Sequence, residues 1–311
     1  MNRYCLSYPI EEQNFEPVII AIGYFDGVHL GHQRVIKHAY KTAKEKKLPC
    51  GIMTFNPHPK QVMEKQAKID QITPLETKLR HFEELNVDIS YIVNFTKEFA
   101  AITPKEFIEK FLLKLNVKGV IVGFDFTFGH KGLGTVETLK ELSEERFFVD
   151  VIEPYYYQGE KVSSTKIRHY LLTGRVSQVK SLLGRNYSFI GKVVHGQKRG
   201  RTIDFPTANL ELVEDYLDIK NGVYVVKVEY LGQAYTGVMN VGFKPTFFEN
   251  KENHTYEIYL LDFNQMIYDI TLGVEIIEFI REEKKFNSID DLKRQISKDV
   301  QHAKETIANL I

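Results

Sequence analysis

The sequence predicts a chain in two parts: an α/β parallel-sheet domain, then a small antiparallel β-barrel domain with a C-terminal helix. Three observations carry this. Short β-type runs alternate with helical patterns through the first half. The alternation stops near Gly184. Beyond it, glycine-punctuated β runs follow one another without helices until an amphipathic stretch at 288–310. The boundary is placed at 184–186, dividing residues 1–184 from 185–311.

In the first part the β-type runs are "PVIIAIG" (17–23), "CGIMTF" (50–55), "DISYIVNF" (88–95), "GVIVGFDF" (119–126) and "FFVDVIE" (147–153). Helical patterns lie between them: "QRVIKHAYKTAKEKK", "PLETKLRHFEEL", "TPKEFIEKFLLKL" and "TVETLKELSEE". The third starts with Thr103 as N-cap and Pro104 at the first helical position, and it sets Phe107, Phe111 and Leu115 on one stripe. Strands alternating with helices imply a parallel sheet with helices on both faces. Such sheets bind ligands beyond the carboxyl ends of their strands. The helical pieces "SSTKIRHYLLTG" and "VSQVKSLLG" close this part. In the second part "YSFIGKVVHG", "GVYVVKVEYLGQAYTGVMNVG", "HTYEIYLLDF" and "LGVEIIEFI" are strand-like, with a hairpin turn in "YLGQAY".

The 311 residues are 43% hydrophobic and 26% charged, a balance able to bury real cores. Lys+Arg and Asp+Glu are both 41, which speaks against a nucleic-acid partner. The two cysteines, Cys5 and Cys50, have neither metal-ligand nor disulfide-framework spacing. No basic stretch followed by an apolar run opens the chain, and no apolar run nears the ~20 residues of a membrane span. No membrane partner is expected, and the expected location is cytoplasmic.

"GYFDGVHLGH" (23–32) follows the first strand of the alternating series. It puts His29 in the loop and His32 in the first turn of the next helix. Gly31 lacks a Cβ, so a ligand can approach the backbone closely. Helix N-terminal N–H groups and two imidazoles together suit phosphate oxygens gaining negative charge. "SSTKIR" (163–168) offers a second such arrangement through Ser164, Thr165 and Arg168. "TFNPHP" (54–59) and "GFDFTFG" (123–129) also follow β runs, so both end on the ligand side of the sheet.

In the second part, "HGQKRGRTIDFPTANL" (195–210) is a glycine-rich basic loop able to wrap a phosphate chain. Thr207 and Asn209 within it are hard oxygen donors, two residues apart and on one side of an extended chain, suited to Mg²⁺. Glu257 in "TYEIYLLDF" shares a strand face with Tyr259 and Leu261, and a carboxylate so placed can serve as a general base. Asp262 is its rival, on the opposite face if the alternation runs on.

"GYFDGVHLGH" resembles the signature of the nucleotidylyltransferase superfamily. With "TFNPHP", "GFDFTFG" and "SSTKIR" in order, the first half resembles the FMN adenylyltransferase module of bacterial bifunctional riboflavin kinase/FAD synthetases. "RGRTIDFPTAN", "NGVYVV", "GVMNVGFKPTF", "TYEIYLLDF" and "REEKKF" resemble the riboflavin kinase domain in order and spacing, so the resemblance spans nearly the whole chain. It implies a Rossmann-like nucleotidylyltransferase-type domain and a Greek-key barrel. It also implies ATP, riboflavin, FMN and FAD as substrates and products, with Mg²⁺ as the divalent metal.

By the same resemblance, Gly23, Phe25, Asp26, His29, Gly31, His32, Asp125, Ser164, Thr165 and Arg168 would bind ATP for adenylylation, and Asn56 and His58 the FMN phosphate. Gly196, Arg201, Thr207 and Asn209 would bind ATP for the kinase, the last two holding the metal. Glu257 would be the kinase base, and Arg281 would lie near the flavin phosphate. One departure stands out: Asp204 occupies the place before "FPTAN" where the family usually has glycine. A carboxylate there repels ATP unless a metal or a basic group intervenes. Three other readings stay open. They are a single-activity FAD synthetase with an impaired kinase domain, a cytidylyltransferase-like enzyme, and a flavin-sensing regulatory binding protein. The residues do not indicate an oligomeric state.

Overall fold

The computed structural model describes residues 1–11, 13–64, 69–196, 205–244 and 253–309. They divide into two compact units, Met1–Ser164 and Thr165–Ile311.

The first unit comprises β1 (Asn2–Leu6), β2 (Val18–Ile22), α1 (Leu30–Lys46), β3 (Cys50–Asn56), α2 (Pro59–Met63), α3 (Leu75–Glu84), β4 (Ile89–Asn94), α4 (Lys97–Ala100), α5 (Pro104–Phe107), β5 (Val117–Gly123), α6 (Val136–Ser143) and β6 (Phe148–Ile152). A short hairpin, β7 (Tyr156–Tyr157) and β8 (Glu160–Lys161), follows. The sheet runs β1-β4-β3-β2-β5-β6, and every pairing is parallel. The chain steps outward from β2 to β3 and β4, then crosses back to place β5 on the other side of β2. The switch point for a ligand therefore lies between the carboxyl ends of β2 and β5.

Strand β2 is buried on both faces. Val18, Ile20 and Ile22 join one core with Phe107, Phe111 and Leu115, while Ile19 and Ala21 join another with Val35, Ile36 and Phe82. This two-faced burial is what a parallel sheet between helix layers requires. The aromatic stripe is as the spacing expects, but its helix is not regular. Thr103 caps α5 in a reciprocal capping box with Glu106, and a π-helical turn at Ile108–Leu112 follows. The β run at 119–126 also ends early: β5 stops at Gly123, and Phe126 N donates to Gly123 O (3.1 Å) in a turn that carries Asp125. The edge strand β1 had no strand signal, since four of its five residues are exposed.

The second unit begins with α7 (Ser164–Leu172), whose first residue falls in unit one, and α8 (Val176–Leu183). The remaining elements are β9 (Tyr187–Val194), β10 (Ala208–Leu212), β11 (Gly222–Tyr230), β12 (Gln233–Lys244), β13 (Asn253–Leu260), β14 (Thr271–Arg281) and α9 (Ile289–Ala308). The strands form a closed antiparallel barrel in the order β10-β13-β12-β11-β14-β9. The expected hairpin lies at Leu231-Gly232, both with positive φ, as the right-handed twist of two strands joined by two residues demands. Helix α9 packs Ala303, Val300 and Ile307 onto Val223, Val225 and Val238 outside the barrel.

The compact units meet earlier than the composition shift at Gly184 suggests. Lys220 N donates to Leu171 O (3.1 Å), and α8 buries Val176, Val179, Leu182 and Leu183 on the side of β9 and β14. The two helices thus pack with the barrel. Among the described residues, no helix is long and apolar enough to cross a membrane.

Candidate active sites

The loop from β2 to α1 is built as a fixed turn. Phe25, Gly27 and Val28 all have positive φ. Such backbone is costly for Phe and Val and persists only when surroundings hold it. Several bonds supply the hold. The buried Asp26 carboxylate accepts from Thr73 N (3.1 Å), Gly27 N donates to Thr73 Oγ1 (2.8 Å), and Ser164 Oγ donates to Asp26 O (2.8 Å). Asp26 and Ser164, expected at the nucleotide, therefore also brace the loop.

His29 is the N-cap of α1, with Nδ1 accepting from His32 N (3.2 Å). An imidazole that accepts at Nδ1 carries its proton on Nε2 when neutral, so Nε2 is the donor it offers a ligand. The rings of His29 and His32 stack at 3.6 Å and 17°, and Phe25 meets His32 edge-on at 5.3 Å. A Cβ on Gly31 would come within 3.1–3.2 Å of the His29 ring, so the glycine keeps the capping imidazole in place. Thr165 and Arg168 lie on α7, exposed and half-buried respectively.

The loop after β3 carries exposed Asn56 and half-buried His58. His58 caps α2, its Nδ1 accepting from Lys60 N (3.0 Å), and its ring lies 4.1 Å from that of Tyr24. Asp125 is exposed beyond β5 and pairs with Lys161 (2.9 Å). Beside these loops opens a cavity of about 450 Å³, lined by Phe55, Phe95, Phe99, Phe107, Phe126 and Phe128 among others. The sequence reading took "GFDFTFG" as ligand-side but did not assemble this aromatic wall, because its rings come from four separate segments.

In the barrel, Glu257 lies between Asn209 on β10 and Asn240 on β12 in direct register. Thr207, Glu257, Tyr259 and Arg281 line one cavity of about 380 Å³ with Asn240, Phe286 and Asp299. Thr207 also lines a second cavity of about 380 Å³, with Val193, Leu260, Phe263 and Tyr268. Asn209 packs against Gly196 so closely that any Cβ there would overlap its amide. Arg281 lines the first cavity, yet its guanidinium is held by the buried carboxylate of Asp299 on α9 (2.7–3.1 Å), which Gln295 also supports (2.8 Å). Asp262 lies in the turn after β13, exposed, with φ 55°, and lines neither cavity. The strand ends before it, so the alternation does not reach it. Asn240 was missed; the signal was a polar residue inside the apolar run "GVMNVG". Arg201 and Asp204 lie outside the described residues.

Family models fit both units in sequence order: FAD synthetase over residues 11–166 and riboflavin kinase over residues 183–307. The chain belongs to the bifunctional riboflavin kinase/FMN adenylyltransferase family. It is 45% identical to the Bacillus subtilis protein of that name, over 94% of this chain and 93% of that one. The Listeria monocytogenes protein of the same name is 39% identical over 100% of this chain and 99% of its own. A crystal structure titled as a macrolide-efflux protein from Streptococcus pneumoniae superimposes with a TM-score of 0.87. It is 35% identical and covers 96% of this chain and 99% of its own. Its title describes that protein; what it shares with this chain is the architecture.

Proposed function

We propose that the chain makes FAD from riboflavin in two ATP-dependent transfers, one per unit. In the barrel the riboflavin 5′-hydroxyl attacks the γ-phosphorus of ATP, giving FMN and ADP, and Glu257 takes the hydroxyl proton. In the parallel-sheet unit an FMN phosphate oxygen attacks the α-phosphorus of a second ATP, giving FAD and pyrophosphate. The observation that carries the reading is Thr207, common to two cavities, one of which also holds Glu257. A phosphoryl donor and acceptor need such a shared wall.

In the first cavity Tyr259 and Phe286 offer apolar surface to a flavin ring, and Arg281 offers a cation already oriented by Asp299. A hydroxyl and an amide oxygen are hard donors that Mg²⁺ takes alongside phosphate and water, and Thr207 stands on the wall the two cavities share, so Thr207 and Asn209 fit as its holders. When bound, the ion would neutralise phosphate charge. The kinase is assigned to the barrel, residues 185–311, with α7 and α8 packed beside it, and the adenylyltransferase to the parallel-sheet unit.

For adenylyl transfer the nucleophile is already an anion, so alignment and charge stabilisation do the work. His29 Nε2, His32, the α1 N-terminus and Ser164 are assigned to the ATP phosphates, and Asp125 to the nucleotide. Asn56 and His58 are assigned to the FMN phosphate, with the flavin ring in the phenylalanine-lined cavity. The test is incubation with riboflavin, ATP and MgCl₂, with FMN and FAD resolved by chromatography, alongside a metal-free control. Both products should appear in sequence. Failure to form FMN would overturn the kinase assignment, and FMN accumulating without FAD would overturn the other.

A further inference from the structure

Helix α9 forms part of the wall of the barrel cavity that holds Glu257, through Leu292, Ile296 and Asp299 on one helical face. The strand that meets this helix is bent to do so. The pairing of β14 with β11 skips Ile277 and Ile280, with an irregularity at each. Strict alternation would send neighbouring residues to opposite faces. The two irregularities instead let Ile277 and Glu278, and then Ile280 and Arg281, all reach α9. The isoleucines join the apolar contact of α9 with the barrel. Glu278 accepts from Thr306 Oγ1 (2.8 Å) and lies 3.1 Å from His302 Nε2. Arg281 meets Asp299.

These attachments differ in one respect. Ile277, Glu278 and Ile280 hold the helix without lining the cavity, whereas Arg281 and Asp299 both line it. The grip on Arg281 also fixes the plane of the guanidinium. Nε (3.1 Å to each oxygen) and Nη2 (2.7 Å) donate to the Asp299 carboxylate, and Nη1 donates to Glu282 O (3.0 Å). Among the described residues this leaves one N–H on each Nη for an anion. Asp299 is itself held by Gln295, one turn back on α9, whose Nε2 donates to Oδ1 (2.8 Å). Gln295 Oε1 accepts from Lys284 Nζ (2.6 Å), a second cation on the same cavity wall.

We infer that Asp299 and Gln295 are positioning residues for phosphoryl transfer in the barrel. They orient Arg281 toward the phosphoryl group as the riboflavin oxygen bonds to the γ-phosphorus and the bond to the ADP oxygen breaks. This rests on the reading of the barrel given above. Neither residue touches a reacting atom in this role; both act through Arg281.

The test is steady-state kinetics in the full chain, with FMN plus FAD made from riboflavin as the product. Riboflavin carries no phosphate, so a misdirected Arg281 should lower kcat and spare the KM for riboflavin, whereas a loosened cavity would raise that KM. Asp299→Asn should lower kcat about 30-fold, short of the roughly 10²–10³ for outright loss of a charge-stabilising donor. Its KM for riboflavin should stay within about threefold, and FAD formation from supplied FMN within about twofold. Added to Arg281→Met, Asp299→Asn should cost less than about threefold more, because residues acting through one group are non-additive. Gln295→Leu should repeat the pattern with a kcat loss of about fivefold. A kcat for Asp299→Asn within about threefold of wild type, a loss confined to KM, or additive losses overturns the inference. Should Asp299→Asn fail to fold by circular dichroism, Gln295→Leu takes its place in the cycle and must show both the kcat loss and the non-additivity. Wild-type protein that makes no FMN from riboflavin overturns the reading of the barrel and the inference with it. Wild-type turnover with any of the contrary results overturns the inference alone.

Discussion

Replacing Glu257 with Gln should abolish FMN formation while FAD formation from supplied FMN continues. A primary hydroxyl is a weak nucleophile at neutral pH, and a positioned base accelerates its attack by about 10²–10⁴. That corresponds to about 3–5 kcal/mol of barrier. The structure argues that the loss would be chemical and not structural. Gln matches Glu in volume, and the register partners on either side, Asn209 and Asn240, are amides able to pair with another amide. The barrel core lies elsewhere, in residues such as Tyr224, Val226 and Met239. The assay is FMN production from riboflavin by Glu257→Gln beside Asp262→Asn, with circular dichroism to show that both are folded. Asp262 is exposed in a turn and lines neither barrel cavity, so Asp262→Asn should keep wild-type rates. An inactive Asp262→Asn with an active Glu257→Gln would refute the assignment of the base.

Four further outcomes are expected. His32→Ala should slow FAD formation by about 10²–10³, the usual cost of one charge-stabilising donor, and leave FMN formation intact; steady-state rates of both reactions on one preparation check this. Native alkylation should modify exposed Cys5 and spare Cys50, whose thiol burial, with Asp88 nearby, pushes up to about 12; mass spectrometry of labelled peptides reads it. Because the folded pKa is raised above 9.0, the stability linked to Cys50 is full below about pH 9 and is lost as pH rises toward 12, which urea midpoints across that range would record. Fragment 165–311 should make FMN but no FAD, and should unfold at higher urea than 185–311, because the shorter piece discards the buried Val176, Val179, Leu182 and Leu183 of α8, each worth about 1.5–3 kcal/mol when buried.

The alternation of strands and helices was readable because β2 carries an unbroken apolar run and the helices keep their 3.6-residue spacing. What escaped was whatever depends on partners distant in sequence. β1 exposes most of its residues, so it has no apolar pattern to detect. β10 is too short and polar to stand out, yet it closes the barrel by pairing with both β9 and β13. The placement of the histidine turn was legible because it is local: cap, glycine and helix start lie within four residues. Lys78 was not, because a lysine in a helical pattern is ordinarily solvated, and only the third dimension puts it under Tyr24. The same holds for Arg281, whose bond to Asp299 spans the strand–helix connection at the end of the chain.

The two candidate sites differ in the way their nucleophiles differ. The barrel presents a carboxylate in register between two amides, at the wall of a cavity, as activation of a neutral hydroxyl requires. The parallel-sheet unit instead presents stacked imidazoles at a helix start, on a turn whose strained backbone is locked from three directions by Thr73, Ser164 and Lys78. An anionic phosphate has no proton to surrender, so a base would add nothing there, whereas a loop that shifts under the charge of a triphosphate would forfeit the alignment on which the rate depends. Rigidity on one side and proton acceptance on the other are thus the separate demands of successive steps.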